Sequence, residues 1–273
     1  MSAAADSTAF TRAADLPAGL RTHVRDLILA LADTKRLLGM RYADWILGAP
    51  ELEAGIACAS MAQDEWGHGR LLYALLKDFG DDVEAIEHGR EPGEYRSMQA
   101  LDRAPASWPE LVALNALIDT ALSNQLEALT DSTYVPLRQR VQKILDEEQF
   151  HLAHGRAWFT RLARSGGDAR AELSAAVSRY MPDALAWFGP ESDASRAFRN
   201  ASVVDAAASD LRSRYLQNVA PLLAEVAAGE AVSSIEPAWD GFDESARRYS
   251  GSAPDDETIR RIRGDKNRAF LMD

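Results

Sequence analysis

ELEAGIACASMAQDEWGHGRLLYALLKDFG, residues 51–80, reads as one long helix. Glu51 and Glu53 suit the positive end of a helix dipole, apolar positions recur through Ile56, Met61 and Leu72, and Gly80 is a natural stop. At its centre Glu65 and His68 stand three residues apart, so both side chains leave the same face. The same spacing recurs at Glu148 and His151, inside another long periodic stretch. Two such helices side by side aim two carboxylates and two imidazoles at one point, a donor set suited to a pair of iron or manganese ions. An acid precedes each pair, Asp64 and Glu147, and either could accept the free imidazole N–H and fix the ring tautomer. With only five histidines in the chain, two acid-preceded pairs in helix centres are a specific pattern.

Working outward, Leu20, Val24, Leu27, Leu31, Leu38 and Trp45 predict a first helix from about Pro17 to Leu47, stopped by Gly48-Ala49-Pro50. So short a connection makes the first two helices antiparallel neighbours. Residues 81–107 are polar with scattered Gly and Pro, a crossover with little regular structure. A third helix is expected from Pro109 to Thr130, and a fourth from Pro136 to Arg164 before Ser165-Gly166-Gly167. One long link joining two antiparallel pairs is the ferritin-like arrangement. Further helices are expected at Ala169–Arg179, Val203–Ala228 and Asp255–Phe270, with a break at Phe188-Gly189-Pro190 and a Ser/Gly/Pro-rich stretch over 232–254. The expectation is an all-α, ferritin-like four-helix bundle in one domain over 1–273. Its first sixteen residues would be frayed, its core would span about 17–165, and its helical extension about 169–273.

Apolar residues make up 47% of the 273, ample for a real core. A net charge of −12 leaves no basic surplus for binding nucleic acid. No basic start leads into an apolar core at the N-terminus, and no apolar run approaches a bilayer span, so the expectation is a cytoplasmic protein without a membrane partner. The single cysteine, Cys58, lies in an apolar run and reads as a buried, inert thiol.

A dinuclear site of this kind takes one further carboxylate from each remaining helix. On the third, Asp119 is a lone acid in an apolar run, expensive to bury unless paired or metal-bound; Glu127 is the alternative. On the first, the acids between Leu27 and Trp45 are Asp33 and Asp44. Asp33 is a possible ligand, Asp44 is expected to be solvated, and Lys35 occupies the middle of the span.

Several segments together make the chain resemble the phenylacetyl-CoA and benzoyl-CoA epoxidase family, in its catalytic and sister structural subunits. They are Trp45–Pro50, Gln63-Asp64-Glu65-Trp66-Gly67-His68-Gly69, Leu117-Ile118-Asp119, Glu147-Glu148-Gln149-Phe150-His151, Ala186–Pro190 and Leu211–Pro221. The metal motifs lie closer to the catalytic subunit, the opening helix to the structural one. The resemblance implies Glu65, His68, Asp119, Glu148 and His151 as ligands of two iron ions (Fe or Fe/Mn), and it favours Asp119 over Glu127. It also implies O2 activation for epoxidation of an aromatic acyl-CoA thioester, with electrons from a separate reductase, and a sister ferritin-like subunit or a homodimer. Counted without gaps, the family's helix-one Glu falls on Lys35.

Three readings of Lys35 compete. Its ammonium replaces one metal's charge among Glu65, Asp119 and Glu148; or Asp33 or water completes a two-metal shell beside a neutral or modified lysine; or the side chain snorkels away. The chain is accordingly expected to be a monooxygenase-type protein. The alternatives are a non-catalytic structural subunit or metal-poor paralogue, and, more remotely, an iron-storage protein. Arg21, Arg25, Arg212 and Arg214 are candidates for holding CoA phosphates, although each is more readily an ordinary surface residue.

Overall fold

A computed structural model describes residues 9–226 and 235–270. Four long helical rods form the bundle. Helix α1 (Ala18–Ala43) runs antiparallel to α2 (Leu52–Tyr73), which tightens into a 3-10 turn over Ala74–Phe79. After a crossover holding α3 (Val83–His88), the third rod is built from α4 (Trp108–Leu114), a π-helical turn (Asn115–Asp119) and α5 (Thr120–Glu127). The fourth rod is α6 (Val135–Ser165). Then come α7 (Gly167–Ala186), α8 (Asp193–Asn200), α9 (Ala208–Glu225), a two-residue hairpin (β1 Phe242–Asp243, β2 Arg248–Tyr249) and α10 (Asp256–Arg263). The ferritin-like, all-α architecture with a long crossover and added C-terminal helices is therefore as expected, the small hairpin apart.

Helix α1 is the spine. Residues 27–35 and 37–42 are buried on every side, which an amphipathic surface helix would not be. One side faces the bundle; the other is covered by the crossover and the chain's end. Arg41 bonds the Leu101 carbonyl at 2.8 Å and Thr258 of α10 at 2.9 Å, and Arg248 of β2 bonds Asp102 at 2.7 Å. Helices α1 and α2 touch closely where Gly39 meets Trp66: a Cβ at Gly39 would stand 2.7 Å from the indole. Cys58 of α2 is buried, and desolvation pushes its thiol up to about 12.

Several boundaries differ from expectation, each for a local reason. Helix α1 stops at Ala43, and Leu47 is 99% exposed in the turn before Pro50. Asp44 is not solvated but paired with Arg41 at 3.1 Å and Arg261 at 2.6 Å. Residues 1–8 lie outside the described residues, but Phe10 is not frayed: it exchanges backbone hydrogen bonds with Thr133 and Val135, at 2.8 and 3.0 Å. Helix α7 carries Pro182 within it and continues to Ala186. Helix α8 escaped the periodicity because it buries only Ala194 and Phe198; its start is set by Ser192, which accepts from Ser195 N. Helix α10 ends at Gly264, whose φ of 71° is left-handed, well before Phe270. Residues 227 and 228 of the expected Val203–Ala228 helix lie outside the described residues.

Candidate metal centre

Each rod delivers one face to the middle of the bundle, and the side chains that meet there are all buried: Lys35, Glu65, His68, Asp119, Glu148 and His151. Lys35 Nζ donates to Glu148 Oε1 at 2.7 Å and Glu65 Oε1 at 2.9 Å, and stands 4.0 Å from Asp119 Oδ1. Of the three readings of Lys35, the geometry matches the one in which its ammonium sits among the carboxylates; the side chain does not snorkel away. His68 Nδ1 is 3.2 Å from Glu148 Oε1, and His151 Nδ1 is 3.3 Å from Glu65 Oε1. The far imidazole nitrogens face the two preceding acids crosswise: His68 Nε2 meets Glu147 at 2.7 Å, and His151 Nε2 meets Asp64 at 3.3 Å. Helices α2 and α6 are thus locked to each other as well as to the centre.

Asp119 is held by residues that the sequence reading did not single out. Tyr42 O–H donates to its Oδ2, and Asn115 Nδ2 donates to the same oxygen at 2.7 Å and to the Tyr42 oxygen at 2.8 Å. Asn115 opens the π-helical turn that Asp119 closes, and single π turns of this kind recur at functional sites. Spacing offered a signal: Tyr42 lies two helical turns beyond Lys35, and Asn115 one turn before Asp119. Glu127, the alternative to Asp119, is exposed and takes no part.

Asp33 points elsewhere. Two residues from Lys35, it leaves the opposite side of α1. There it accepts from Arg90 Nη1 at 2.8 Å, Tyr73 O–H at 2.5 Å and the Arg96 N–H at 2.8 Å. It is a structural anchor for the crossover, not a member of the centre. The arginines considered for CoA phosphates are engaged within the chain: Arg21 with the Phe79 carbonyl, Arg25 with Asp81, Arg212 with the Gly189 carbonyl and Arg214 with Asp205.

Charge is balanced without solvent. Burial disfavours the Lys35 ammonium, but Glu148, Glu65 and Asp119 outweigh it and hold the lysine above its ordinary value. Burial likewise opposes charge on Glu65, yet Lys35 and the two imidazoles hold its carboxyl well below the usual range. Asp119 goes the other way: burial, then Glu148 and Glu65, push it to about 7. Against burial, Glu148 and Glu65 raise His68 to about 9, and Glu65 and Asp119 raise His151 to about 10. Metal-free, the centre is an ammonium and two imidazoliums facing carboxylates.

The donor set bears directly on whether two metal ions fit. Glu65 Oε2, Glu148 Oε2, Asp119 Oδ1 and both imidazole Nδ1 atoms are buried with no hydrogen-bond partner. Unpartnered carboxylate oxygens in the interior suit a cation, and each Nδ1 becomes an acceptor for it on losing its proton. Glu65, Asp119, Glu148 and His151 each offer an atom within 4.8 Å of all the others. Donors around one ion, with bonds of about 2.0–2.2 Å, lie at most about 4.4 Å apart, so a small contraction seats an ion there. A second ion lacks its carboxylate, since α1 supplies an ammonium. The residues fit one ion and do not fit the two-iron, six-ligand set.

Gly155 lies one turn after His151, and a Cβ there would stand 2.6 Å from Asn115 Oδ1. Gly155→Ala is expected to cost about 1–3 kcal/mol by overpacking. By turning Asn115 off Asp119 it should also weaken divalent-metal binding by about 10- to 100-fold. A thermal melt and a Mn(II) titration check this; unchanged affinity would show that Asn115 does not position Asp119.

Comparison with known proteins gives concordant results. Residues 4–231 match the family described as phenylacetic acid catabolic protein. The chain is 29% identical over 190 residues to one of the subunits of the 1,2-phenylacetyl-CoA epoxidase of Escherichia coli (strain K12), covering 65% of this chain and 59% of that one. It is 24% identical over 153 residues to a different subunit of the same enzyme, covering 55% of this chain and 62% of that one. The matches thus span about three fifths of each curated relative's length.

Proposed function

This chain belongs to the phenylacetic acid catabolic protein family, and on that premise we propose that it is a metal-binding, oxygenase-type protein acting on an aromatic acyl-CoA thioester. What carries the reading is one observation: the Nδ1 atoms of His68 and His151 turn toward Glu65, Asp119 and Glu148, while their far nitrogens are tied to Glu147 and Asp64. That arrangement fixes the tautomer that leaves Nδ1 free to bind, as metal-ligating histidines require. A redox-active divalent ion bound there would supply O2 activation.

The chain's own residues do the rest. Glu147 and Asp64 orient the rings, and Tyr42 and Asn115 hold Asp119 in place. Leu31, Leu38, Leu117 and Ile144, all fully buried, keep bulk water from the bundle interior. One buried cysteine makes no iron–sulfur cluster, so electrons would come from a separate reductase. The two relatives are subunits of one epoxidase, which supports a sister chain as partner here. Among the described residues, no helix is long and apolar enough to cross a membrane.

A second reading, a non-catalytic member of such an assembly, is favoured by Lys35, because its ammonium and two imidazoliums balance the carboxylates without metal. Metal analysis of the purified chain separates the two. Under the first reading, bound metal is found, and chelation lowers the melting temperature by several degrees, as loss of a ligand at about 100 Kd does. A protein that carries no metal, and whose melting is indifferent to EDTA, Fe(II) and Mn(II), belongs to the second.

A further inference from the structure

We propose that Lys35 is a built-in cation standing in for one of the two metals of a dinuclear cage, so that the centre binds a single divalent ion, on the His151 side. The inference rests on the metal-binding reading above and sharpens it: His68, though turned inward, is not a ligand of that ion.

Three observations carry it. First, the ammonium lies between the carboxylates of the two Glu-x-x-His pairs, 2.7 Å from Glu148 and 2.9 Å from Glu65. A metal on that side would have to displace a fully buried lysine, with nowhere among the packed residues of α1 for its charge to go. Second, the carboxylates are unevenly distributed. Asp119 stands 3.8 Å from His151 Nδ1, giving that ring a third acid beside Glu65 and Glu148. The position that would serve His68 in the same way, on α1, is Lys35 itself. The four groups whose ligand atoms lie mutually close are accordingly Glu65, Asp119, Glu148 and His151, without His68. Third, once both imidazoles are neutral, three carboxylates against one ammonium leave two negative charges, which one divalent ion neutralises; two such ions would leave the buried centre with two positive charges in excess.

His68 then acts at one remove. Its ring packs near that of His151, with centroids 6.3 Å apart, and its Nδ1 faces Glu148 Oε1 at 3.2 Å. It orients Glu148, one of the groups that would hold the ion, and ties α2 to α6 through Glu147.

The test is anaerobic titration of the full chain, stripped of metal, with Mn(II) and with Fe(II). Stoichiometry is read by elemental analysis, and the Mn(II) form by its paramagnetic resonance spectrum. One ion per chain is expected, with the spectrum of an isolated Mn(II). His151→Ala should lose more than about 100-fold in affinity, whereas His68→Ala should lose no more than the roughly 10- to 100-fold of a group outside the ligand set. Lys35→Glu should take up two ions and show an exchange-coupled spectrum. Because that variant buries a fourth carboxylate, it is produced in metal-supplemented medium; should it not fold, the two histidine variants decide. Two ions in the unaltered chain, equal losses in the two histidine variants, or one ion in a folded Lys35→Glu would each overturn the inference while leaving a metal centre in place. No ion bound by the unaltered chain overturns the metal-binding reading itself.

Discussion

Lys35→Met is expected to destabilise the metal-free protein by about 3–5 kcal/mol, the cost of removing one partner from a buried ion cluster. For a chain of this size that is a fall of the order of 10 °C in melting temperature. The side chain is fully buried, and its Nζ donates to Glu148 and Glu65 at 2.7 and 2.9 Å. Methionine fills a similar volume, so the loss is electrostatic and not a cavity effect. Arginine is no substitute, because its planar fork cannot occupy the place of a compact ammonium.

The loss should depend on pH in a definite direction. Carboxyls deprived of their cation take up protons instead, and Asp119 already stands at about 7, pushed there by burial and by Glu148 and Glu65. A carboxyl whose folded value lies above its unfolded one contributes stability at low pH and loses it as pH rises through the folded value. The variant should therefore be closest to the unaltered protein near pH 5 and furthest from it near pH 8. Saturating Mn(II) at about 100 Kd should return about 2.7 kcal/mol of stability. Melts at both pH values, with EDTA and with Mn(II), check this. A variant melting within two or three degrees of the parent at pH 8 would mean that Lys35 does not neutralise the centre.

How far the centre could be read from residues alone follows from where the information lies. Glu65/His68 and Glu148/His151 were legible because a period of 3.6 residues puts each pair on one face, and the bundle brings the faces together. Asp119 was legible because an acid in the run Leu117-Ile118-Asp119 must find a cation. Tyr42 and Asn115 were not, since neither type is unusual in a helix, and their role arises only when α1, the π-helical turn and α6 meet. Asp33 was misread for the same reason. Its nearness to Lys35 in sequence says nothing of the side it takes, and its partner Arg90 lies 57 residues away in a crossover that looked structureless. The rods were likewise plain in the sequence. The ends of α1 and α10 and the whole of α8 were not, because they depend on turns and on short polar helices with few apolar residues.

Asp33→Ala is the counterpart on the other side of α1, expected to cost about 3–5 kcal/mol by leaving a buried guanidinium without its carboxylate. Arg90 is 8% exposed, and although burial opposes its charge, Asp33 holds it above its ordinary value. The same carboxylate takes the Tyr73 hydroxyl and the Arg96 N–H, so it pins α1, the end of α2 and both halves of the crossover at one point. Removing it should free the crossover first, seen as faster amide exchange over residues 83–98, before the bundle melts at lower temperature. Asp33→Asn keeps an acceptor oxygen and the shape, and should fall between the parent and the alanine variant. Metal stoichiometry measured below the melting temperature should not change in either variant, because Asp33 lies outside the centre. Normal crossover exchange together with a lost ion would instead make Asp33 the missing helix-one ligand, and would mean that α1 turns in its socket when metal binds.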